Sequence, residues 1–214
     1  VIKSLSIAVM VVISVIFLFM GNLRPTIIPA VAIPIALIGT IAAIWLAGFS
    51  INILTLLALV LATGMIVDDA IVVIENIERQ RALGQPSYAA SVIGTRQVFF
   101  AVLATTATLI SVFLPITFLP SMAGRLFAEF GFVLAFAVAI SSFVALSLGP
   151  MLASRLPAGK SSSELPVLGH LGKIITKLYI RLLEFTLSAR LIVVAVAVVA
   201  ALAAIVIFPT IDRE

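Results

Sequence analysis

The chain has 214 residues, of which 63% are hydrophobic and only 10% are charged, and its mean hydropathy is +1.35. This composition excludes a soluble globular domain and indicates a polytopic membrane protein. Cysteine is absent from the sequence, which excludes a disulfide framework and a cysteine-ligated metal site. The net charge of +4 comes from basic residues spread over the polar segments, a distribution that fits membrane topology better than nucleic-acid binding.

Six apolar runs predict six transmembrane helices. The runs cover residues 5–20, 27–48, 51–74, 97–119, 126–154 and 191–208. Gly, Asn and Pro within 21–26 break the first helix, and the connection at 48–52 is too short for anything but an antiparallel return. We therefore predict an all-α membrane protein in which residues 1–154 form a five-helix transmembrane bundle.

The segment between the fifth and sixth runs differs in composition. Residues 157–164 contain Pro, Gly, a run of Ser and one Glu, which is typical of a soluble linker. The stretch 171–188 places one apolar stripe opposite charged residues, which predicts a helix lying on the membrane surface. The stripe is Leu171, Ile174, Ile175, Leu178, Leu182 and Phe185, and the opposite face carries Lys173, Lys177, Arg181 and Glu184. We assign 155–189 to a cytoplasmic linker with this interfacial helix, and 190–214 to the sixth transmembrane helix and its exit from the membrane.

The basic residues predict the orientation of the chain. If the six spans alternate, the segments 21–26, 75–96 and 154–190 fall on one side, and most of the Lys and Arg residues lie in them. The positive-inside rule makes that side cytoplasmic, so both ends of the chain face outward. The chain starts at Val1 without a Met and without a signal-peptide pattern, and we expect it to be a piece of a longer protein.

Two adjacent carboxylates, Asp68 and Asp69, lie inside the third apolar run. An ionised Asp at the centre of a membrane helix is penalised by about 2.5–3.5 kcal/mol, so it is rarely kept without a partner or a function. Because neighbours on a helix point about 100° apart, the two side chains cannot face the same way. By helical spacing, Asp69 lies on the same face of the helix as Met65, Ala62 and Ala58. Asp68 lies on a different face, with Gly64, Leu61 and Leu57. Small residues on both faces would let other helices approach the carboxylates.

No Lys or Arg lies in the central part of any predicted span. Either the two carboxylates are protonated much of the time, or their cationic partner belongs to a segment outside this chain. Both options suit groups that load and release protons. We therefore predict that Asp68 and Asp69 form an intramembrane relay for protons or cations, in preference to a purely structural contact between helices.

Other polar residues in the spans have simpler interpretations. Thr105, Thr108 and Ser111 recur at helical spacing on the fourth span and could either hydrogen-bond the carboxylates or allow close packing, of which we favour packing. Arg125 and Glu129 are four residues apart, which predicts a surface ion pair. The sequence predicts neither a cofactor site nor a metal site.

The run from Gly64 to Arg79, GMIVDDAIVVIENIER, closely resembles the fourth transmembrane helix of resistance-nodulation-division (RND) efflux pumps of the hydrophobe/amphiphile efflux branch. Further stretches resemble the family in the same order along the chain. They are residues 21–24, 48–55, 113–116, 146–151 and 208–212, so the resemblance covers nearly the whole sequence.

The resemblance implies a specific architecture. The six spans are similar to helices two through seven of a twelve-helix protomer, and 171–188 is similar to the cytoplasmic surface helix that joins its two halves. In the family the aspartates that Asp68 and Asp69 match take protons from the periplasm and pair with a lysine of the second half, which this chain does not contain. The implied partners are protons, the lipid bilayer, that second half, two further protomers of a homotrimer, a periplasmic adaptor and an outer-membrane channel.

The same resemblance implies a location and an activity. The chain would lie in the bacterial inner membrane with both ends in the periplasm, and it would serve proton/drug antiport rather than catalyse a reaction. The large periplasmic regions that hold the family's drug pocket are absent from the sequence, so the resemblance bears on the coupling machinery alone.

Three alternatives remain open. An intramembrane aspartyl hydrolase needs two carboxylates that face each other across a water molecule, which adjacent residues on one helix do not provide. A related transporter could use the same architecture for metal ions or for protein export, although the spans lack the His residues and Met clusters that soft metals favour. The chain could also be a scaffold or partner subunit without flux of its own.

Overall fold

The computed structural model describes residues 2–20, 23–118, 122–156 and 166–207. Across these ranges the chain is helical and contains no strand, so the prediction of an all-α membrane protein is confirmed. The α-helices are α1 (Ile2–Met20), α2 (Leu23–Leu46), α3 (Ile53–Ala82), α4 (Ser87–Phe113), α5 (Met122–Arg155), α6 (Pro166–Ser188) and α7 (Arg190–Ile207), and a 3₁₀ helix (Leu114–Phe118) follows α4.

Helices α1 to α5 belong to one compact unit, and α6 with α7 belongs to a second. In the first unit α3 and α5 pack along each other at the centre, with α2 and α4 against both of them and α1 against α2 and α3. The buried apolar side chains come mainly from the facing sides of α2, α3 and α5. The centre of α3, which carries the two aspartates, therefore lies at the middle of the bundle.

Within the described ranges, four helical segments are long and apolar enough to cross a membrane. They are Pro25–Leu46, Ile53–Ala82, Ser87–Phe118 and Phe127–Arg155, which correspond to the second to fifth predicted spans. The apolar helix found in the first predicted span is shorter, at Ser6–Leu18. The last predicted span meets the same criteria only when it is taken together with the end of α6.

The polar segment 75–96 contains the end of one helix and the start of the next. Helix α3 continues to Ala82 and α4 begins at Ser87, so only residues 83–86 connect the two helices. Gly84 has a φ of +88°, a conformation that glycine adopts readily and that ends the helix. The polar residues from Glu75 onward mark where the helix leaves the apolar region of the chain and not where it ends, because Glu, Arg and Gln are good helix formers.

The turn between α2 and α3 is held by side chains at the start of α3. Asn52 Oδ1 accepts the Thr55 N–H at 2.9 Å, and Thr55 Oγ1 accepts the Asn52 N–H at 2.8 Å, so the two residues form a capping box. Asn52 Nδ2 also donates to Glu129 of α5 at 2.6 Å, and Ser50 Oγ donates to the same carboxylate at 3.2 Å. The side chain of Arg125, the predicted ion-pair partner of Glu129, lies outside the described residues.

The opposite end of α3 is tied to α5 by Arg81. Its guanidinium donates to the carbonyl oxygens of Ala153 and, at 3.1 Å, of Leu156, and it pairs with Glu78 at 2.6 Å. Carbonyl groups in the last turn of a helix have no partner within that helix, and a cation there also complements the helix dipole. Arg81 therefore caps α5, and α3 is bonded to α5 at both of its ends.

Helices α3 and α4 cross in close contact at Ile77 and Gly94. A Cβ built on Gly94 would lie 2.9 Å from the Ile77 Cα, so glycine is required at this crossing. Asn76 Nδ2 donates to the Gly94 carbonyl at 2.7 Å and to Gln97 Oε1 at 3.0 Å, and Gln80 Nε2 donates to the same Gln97 oxygen at 2.9 Å. These amides fix α4 against α3 where both helices are polar.

In the second unit, the segments Thr176–Ser188 and Arg190–Ala204 meet at an angle of 89°. The described part of α6 exposes Lys177, Arg181 and Glu184 together with apolar side chains such as Leu182. Side chains of the predicted stripe before residue 176 lie outside the described part. A right-angled bend is what a surface helix followed by a spanning helix requires, and the interfacial placement of α6 stays a prediction.

We predict that Arg81→Ala lowers the free energy of unfolding by about 1.5–3 kcal/mol, since hydrogen bonds from a charged donor to the end of α5 are lost. Arg79→Ala is the matched control, because Arg79 carries the same charge in the same last turn of α3 but is exposed. Its effect should stay within about 0.5 kcal/mol. Unfolding of the two variants in detergent measures the difference. Equal losses would show that Arg81 contributes charge alone and not a cap.

Candidate functional site

Asp68 and Asp69 lie on different faces of α3. The Asp69 side chain is buried, with 8% of the residue exposed, on the same face as Ala58 and Ala62, which are fully buried. Asp68 is exposed, on the same face as Leu57 and Leu61. The predicted division of the helix into two faces is confirmed. One carboxylate points into the bundle and the other points away from it.

Asp69 is held by hydroxyl groups from two neighbouring helices. Ser142 Oγ of α5 donates to Asp69 Oδ2 at 2.7 Å. The Ser142 hydroxyl also contacts the hydroxyl of Thr106 on α4, which lies 2.7 Å from the Val102 carbonyl oxygen. Ser142 and Thr106 are both buried, at 5% and 6% exposure. Three helices therefore meet at the carboxylate through a continuous series of polar contacts.

A second serine reinforces the contact between α3 and α5. Ser141 Oγ donates to the Ile66 carbonyl oxygen at 3.0 Å, about one helical turn from Asp69. Ile66 lies in the helix interior, so its carbonyl carries this bond in addition to the helical one. The sequence analysis did not single out Ser141, Ser142 or Thr106. The available signal was the pair of adjacent serines in the middle of an otherwise apolar span.

The hydroxyl residues that the sequence did single out do not reach the aspartates. Each donates to its own helix backbone: Thr105 to Val102 at 2.9 Å, Thr108 to Ala104 at 2.8 Å and Ser111 to Ala107 at 2.7 Å. All three are exposed, so the favoured packing role is not seen among the described residues. The reason is the rotation of α4, which turns Thr106 rather than Thr105 toward α5.

A half-open cavity of about 550 Å³ lies between α3 and α4 beside the two aspartates. Its lining includes Asp68, Asp69 and Val72 from α3, and Thr105 and Thr108 from α4. None of the described residues that line it is basic. Apolar residues supply most of the wall, so a charge on either carboxylate faces a poorly solvating surface.

Asp68 makes no hydrogen bond or ion pair within the described ranges. The ion pair found there joins Arg81 to Glu78 at the end of α3, away from the cavity. Groups of three or more potential metal ligands are also absent from the residues that the structure describes. The two carboxylates do not face each other, so they do not form the dyad that an aspartyl hydrolase needs. The arrangement can load protons onto one buried and one outward-facing carboxyl.

The chain matches the model of the AcrB/AcrD/AcrF family over residues 1–214. It is 51% identical over 154 residues to multidrug resistance protein MdtC of Pectobacterium atrosepticum, an alignment that covers 72% of this chain and 15% of that protein. MdtC of Pantoea ananatis is 46% identical over 189 residues, covering 87% of the chain and 18% of the relative. MdtC of Yersinia enterocolitica is 44% identical over 173 residues, an alignment that covers 81% of this chain and 17% of the relative.

The chain spans less than a fifth of the length of these relatives. The family match nevertheless extends over all of its residues, and the relatives carry the name of multidrug resistance proteins. The chain therefore belongs to the AcrB/AcrD/AcrF family of RND multidrug efflux transporters.

Proposed function

We propose that this chain is the transmembrane proton-coupling part of an RND antiporter of the bacterial inner membrane that exports hydrophobic or amphiphilic compounds. The observation that carries the proposal is the position of Asp68 and Asp69. One carboxylate is buried against α5, the other is exposed without a partner among the described residues, and both line one cavity. The names of the relatives, which are multidrug resistance proteins, support drugs as the class of exported compound.

The two carboxylates have different tasks in this proposal. Asp69 is fixed by Ser142, so its orientation is set by the bundle. Asp68 is free to meet a group that approaches from outside the bundle. Protonation removes the negative charge and with it the attraction to a nearby cation, whereas loss of the proton restores both. The protein converts this difference in charge into two preferred arrangements of the helices.

The exposed face of α3 is the surface on which we place the second transmembrane half. That face consists of Leu57, Leu61, Gly64, Asp68 and Val72, all of them exposed at helical spacing. A carboxylate charge on an apolar face at membrane depth is energetically costly, and a cationic partner lowers that cost. We assign that partner to a basic side chain on a helix of the second half, which would pack over Gly64 because a Cβ there meets nothing within 4 Å.

The architecture of the whole transporter is part of the same proposal, and membership of the family supports it. Both ends of the chain would lie in the periplasm, where the drug-binding regions are attached. The full-length protein would form a homotrimer with a periplasmic adaptor and an outer-membrane channel. Protons and the lipid bilayer are the partners that the chain itself would contact.

The proposal predicts that Asp68→Asn and Asp69→Asn each abolish proton-driven drug efflux in a full-length pump that carries this chain. Asn keeps the size and polarity of the side chain but cannot gain or lose a proton in the working range of pH. Efflux from membrane vesicles, at equal expression and assembly, measures the effect. Glu184→Gln on the exposed face of α6 is the matched control and should pump normally. Normal efflux by both Asn variants would make the aspartates structural and would favour the scaffold alternative.

A second prediction concerns the exposed face of α3. Gly64→Leu should strongly reduce efflux, since the new side chain would hold the incoming helix away from Asp68. Gly64→Ala adds only a methyl group and should retain most of the activity. The comparison is made by initial rates in the same vesicles, with the thermal stability of both variants measured in parallel. If Gly64→Leu pumps as well as Gly64→Ala, no helix packs closely at this position.

A further inference from the structure

The polar contacts around Asp69 form a series of four groups. The Asp69 carboxyl contacts Ser142 at 2.7 Å, Ser142 contacts Thr106, and the Thr106 hydroxyl lies 2.7 Å from the Val102 carbonyl oxygen. This makes three contacts, and each of them needs one hydrogen atom. The Val102 carbonyl can only accept, whereas each hydroxyl supplies a single hydrogen.

Two hydrogens are available when Asp69 is ionised. A carboxylate only accepts, so Ser142 must donate to it. Thr106 must then donate to Ser142, because otherwise two oxygen lone pairs would face each other. The direction of donation is therefore from Thr106 to Ser142 to Asp69, and Thr106 no longer donates to Val102.

A third hydrogen arrives when Asp69 Oδ2 carries a proton. The carboxyl can then donate to Ser142, Ser142 to Thr106, and Thr106 to the Val102 carbonyl. All three contacts are satisfied at once. Donation is reversed in both contacts of Ser142, and Thr106 gains its hydrogen bond to Val102. Only hydroxyl rotations are needed, which are fast and require no movement of the helices.

From this hydrogen count we infer that Ser142 and Thr106 are positioning residues of the proton site, and that their hydroxyls reverse their direction of donation each time Asp69 Oδ2 gains or loses a proton. The inference rests on the proposed function of Asp69. It adds that the protonation state of a carboxyl on α3 is passed to α5 and to α4 as a change in hydrogen bonding, in addition to the change in charge.

The surroundings allow the reversal at little cost. When Thr106 turns toward Ser142, the Val102 carbonyl keeps a side-chain donor, because Thr105 Oγ1 donates to it at 2.9 Å. Asp68 is the other titratable group that lines the cavity. The described charged residues of α4 and α5 are Arg96, Glu129 and Arg155, each ten or more positions from Thr106 or Ser142 in its helix, which is about 15 Å or more along the helix axis.

The test is infrared difference spectroscopy of the full-length pump in lipid. The spectrum recorded at high pH is subtracted from the spectrum recorded at low pH, so that bands of protonated carboxyl groups remain. The carbonyl stretching band of protonated Asp69 is identified as the band that disappears in Asp69→Asn. Ser142→Ala should shift this band because it removes the group that accepts the carboxyl hydrogen. Thr106→Val should shift it as well, since Ser142 then has no acceptor in α4 and turns back to donate to Asp69.

Matched variants separate the series from general effects of losing a hydroxyl. Thr106→Ser keeps the hydroxyl and should retain the parent band. Thr40→Val removes a buried hydroxyl that donates only to its own helix at Ala36, and Ser147→Ala removes an exposed one on α5 that donates to Phe143. Neither should move the band. The Thr106→Val and Thr106→Ser pair is sufficient if Ser142→Ala does not fold.

The outcomes distinguish this inference from the proposed function. A band that shifts in Ser142→Ala but stays at the parent position in Thr106→Val would show that Ser142 is a fixed donor, and the reversal would be wrong. A band unchanged in both variants would also overturn it. Drug efflux decides the other question, because normal efflux by Asp69→Asn refutes the proton site itself, whatever the spectra show.

Discussion

The energetic penalty on a carboxylate charge inside a membrane is the constraint on which the rest of this structure depends. Such a charge has to be paired, hydrogen-bonded or neutralised by a proton. The bundle satisfies one of its two aspartates internally, through Ser142 and Thr106 on two neighbouring helices. It leaves the other on an exposed apolar face, without a partner among the described residues. In the proposed function, that asymmetry makes Asp68 the group whose environment changes when helices move, and Asp69 the group that ties the change to the bundle.

The contacts between α3 and α5 determine how a change at the aspartates can spread. These two helices are bonded at four levels along their length: Asn52 to Glu129, Ser141 to Ile66, Ser142 to Asp69, and Arg81 to the end of α5. Sliding of α3 along α5 would break all four. In the proposed function, a change in charge at Asp68 therefore moves the α3–α5 pair as a unit relative to the helix that packs on the exposed face.

The sequence was sufficient for the helices and for the two aspartates, because both depend on local spacing. The different facing of Asp68 and Asp69 follows from the helical repeat alone, and the short connection between α2 and α3 follows from the length of the polar stretch at 48–52. The sequence was not sufficient for Ser142 and Thr106. Thr105 and Thr106 differ by about 100° on α4, and which of them meets α5 is set by the rotation of the packed helix, which no local pattern encodes. The polar run from Glu75 belongs to the end of α3, because polarity reports where a helix emerges from the apolar region and not where it stops.

If protonation of this pair drives transport, drug export depends on proton movement, and the most direct test measures both in the same experiment. A full-length pump carrying this chain would be placed in proteoliposomes with an imposed pH gradient, and both fluxes would be followed as the gradient is varied. The account predicts that drug export by the parent requires inward proton flux and stops when the gradient is dissipated, while a variant with Asn at both positions shows neither flux. Drug export by that double variant which still rises with the pH gradient would contradict the account, because the coupling groups would then lie elsewhere.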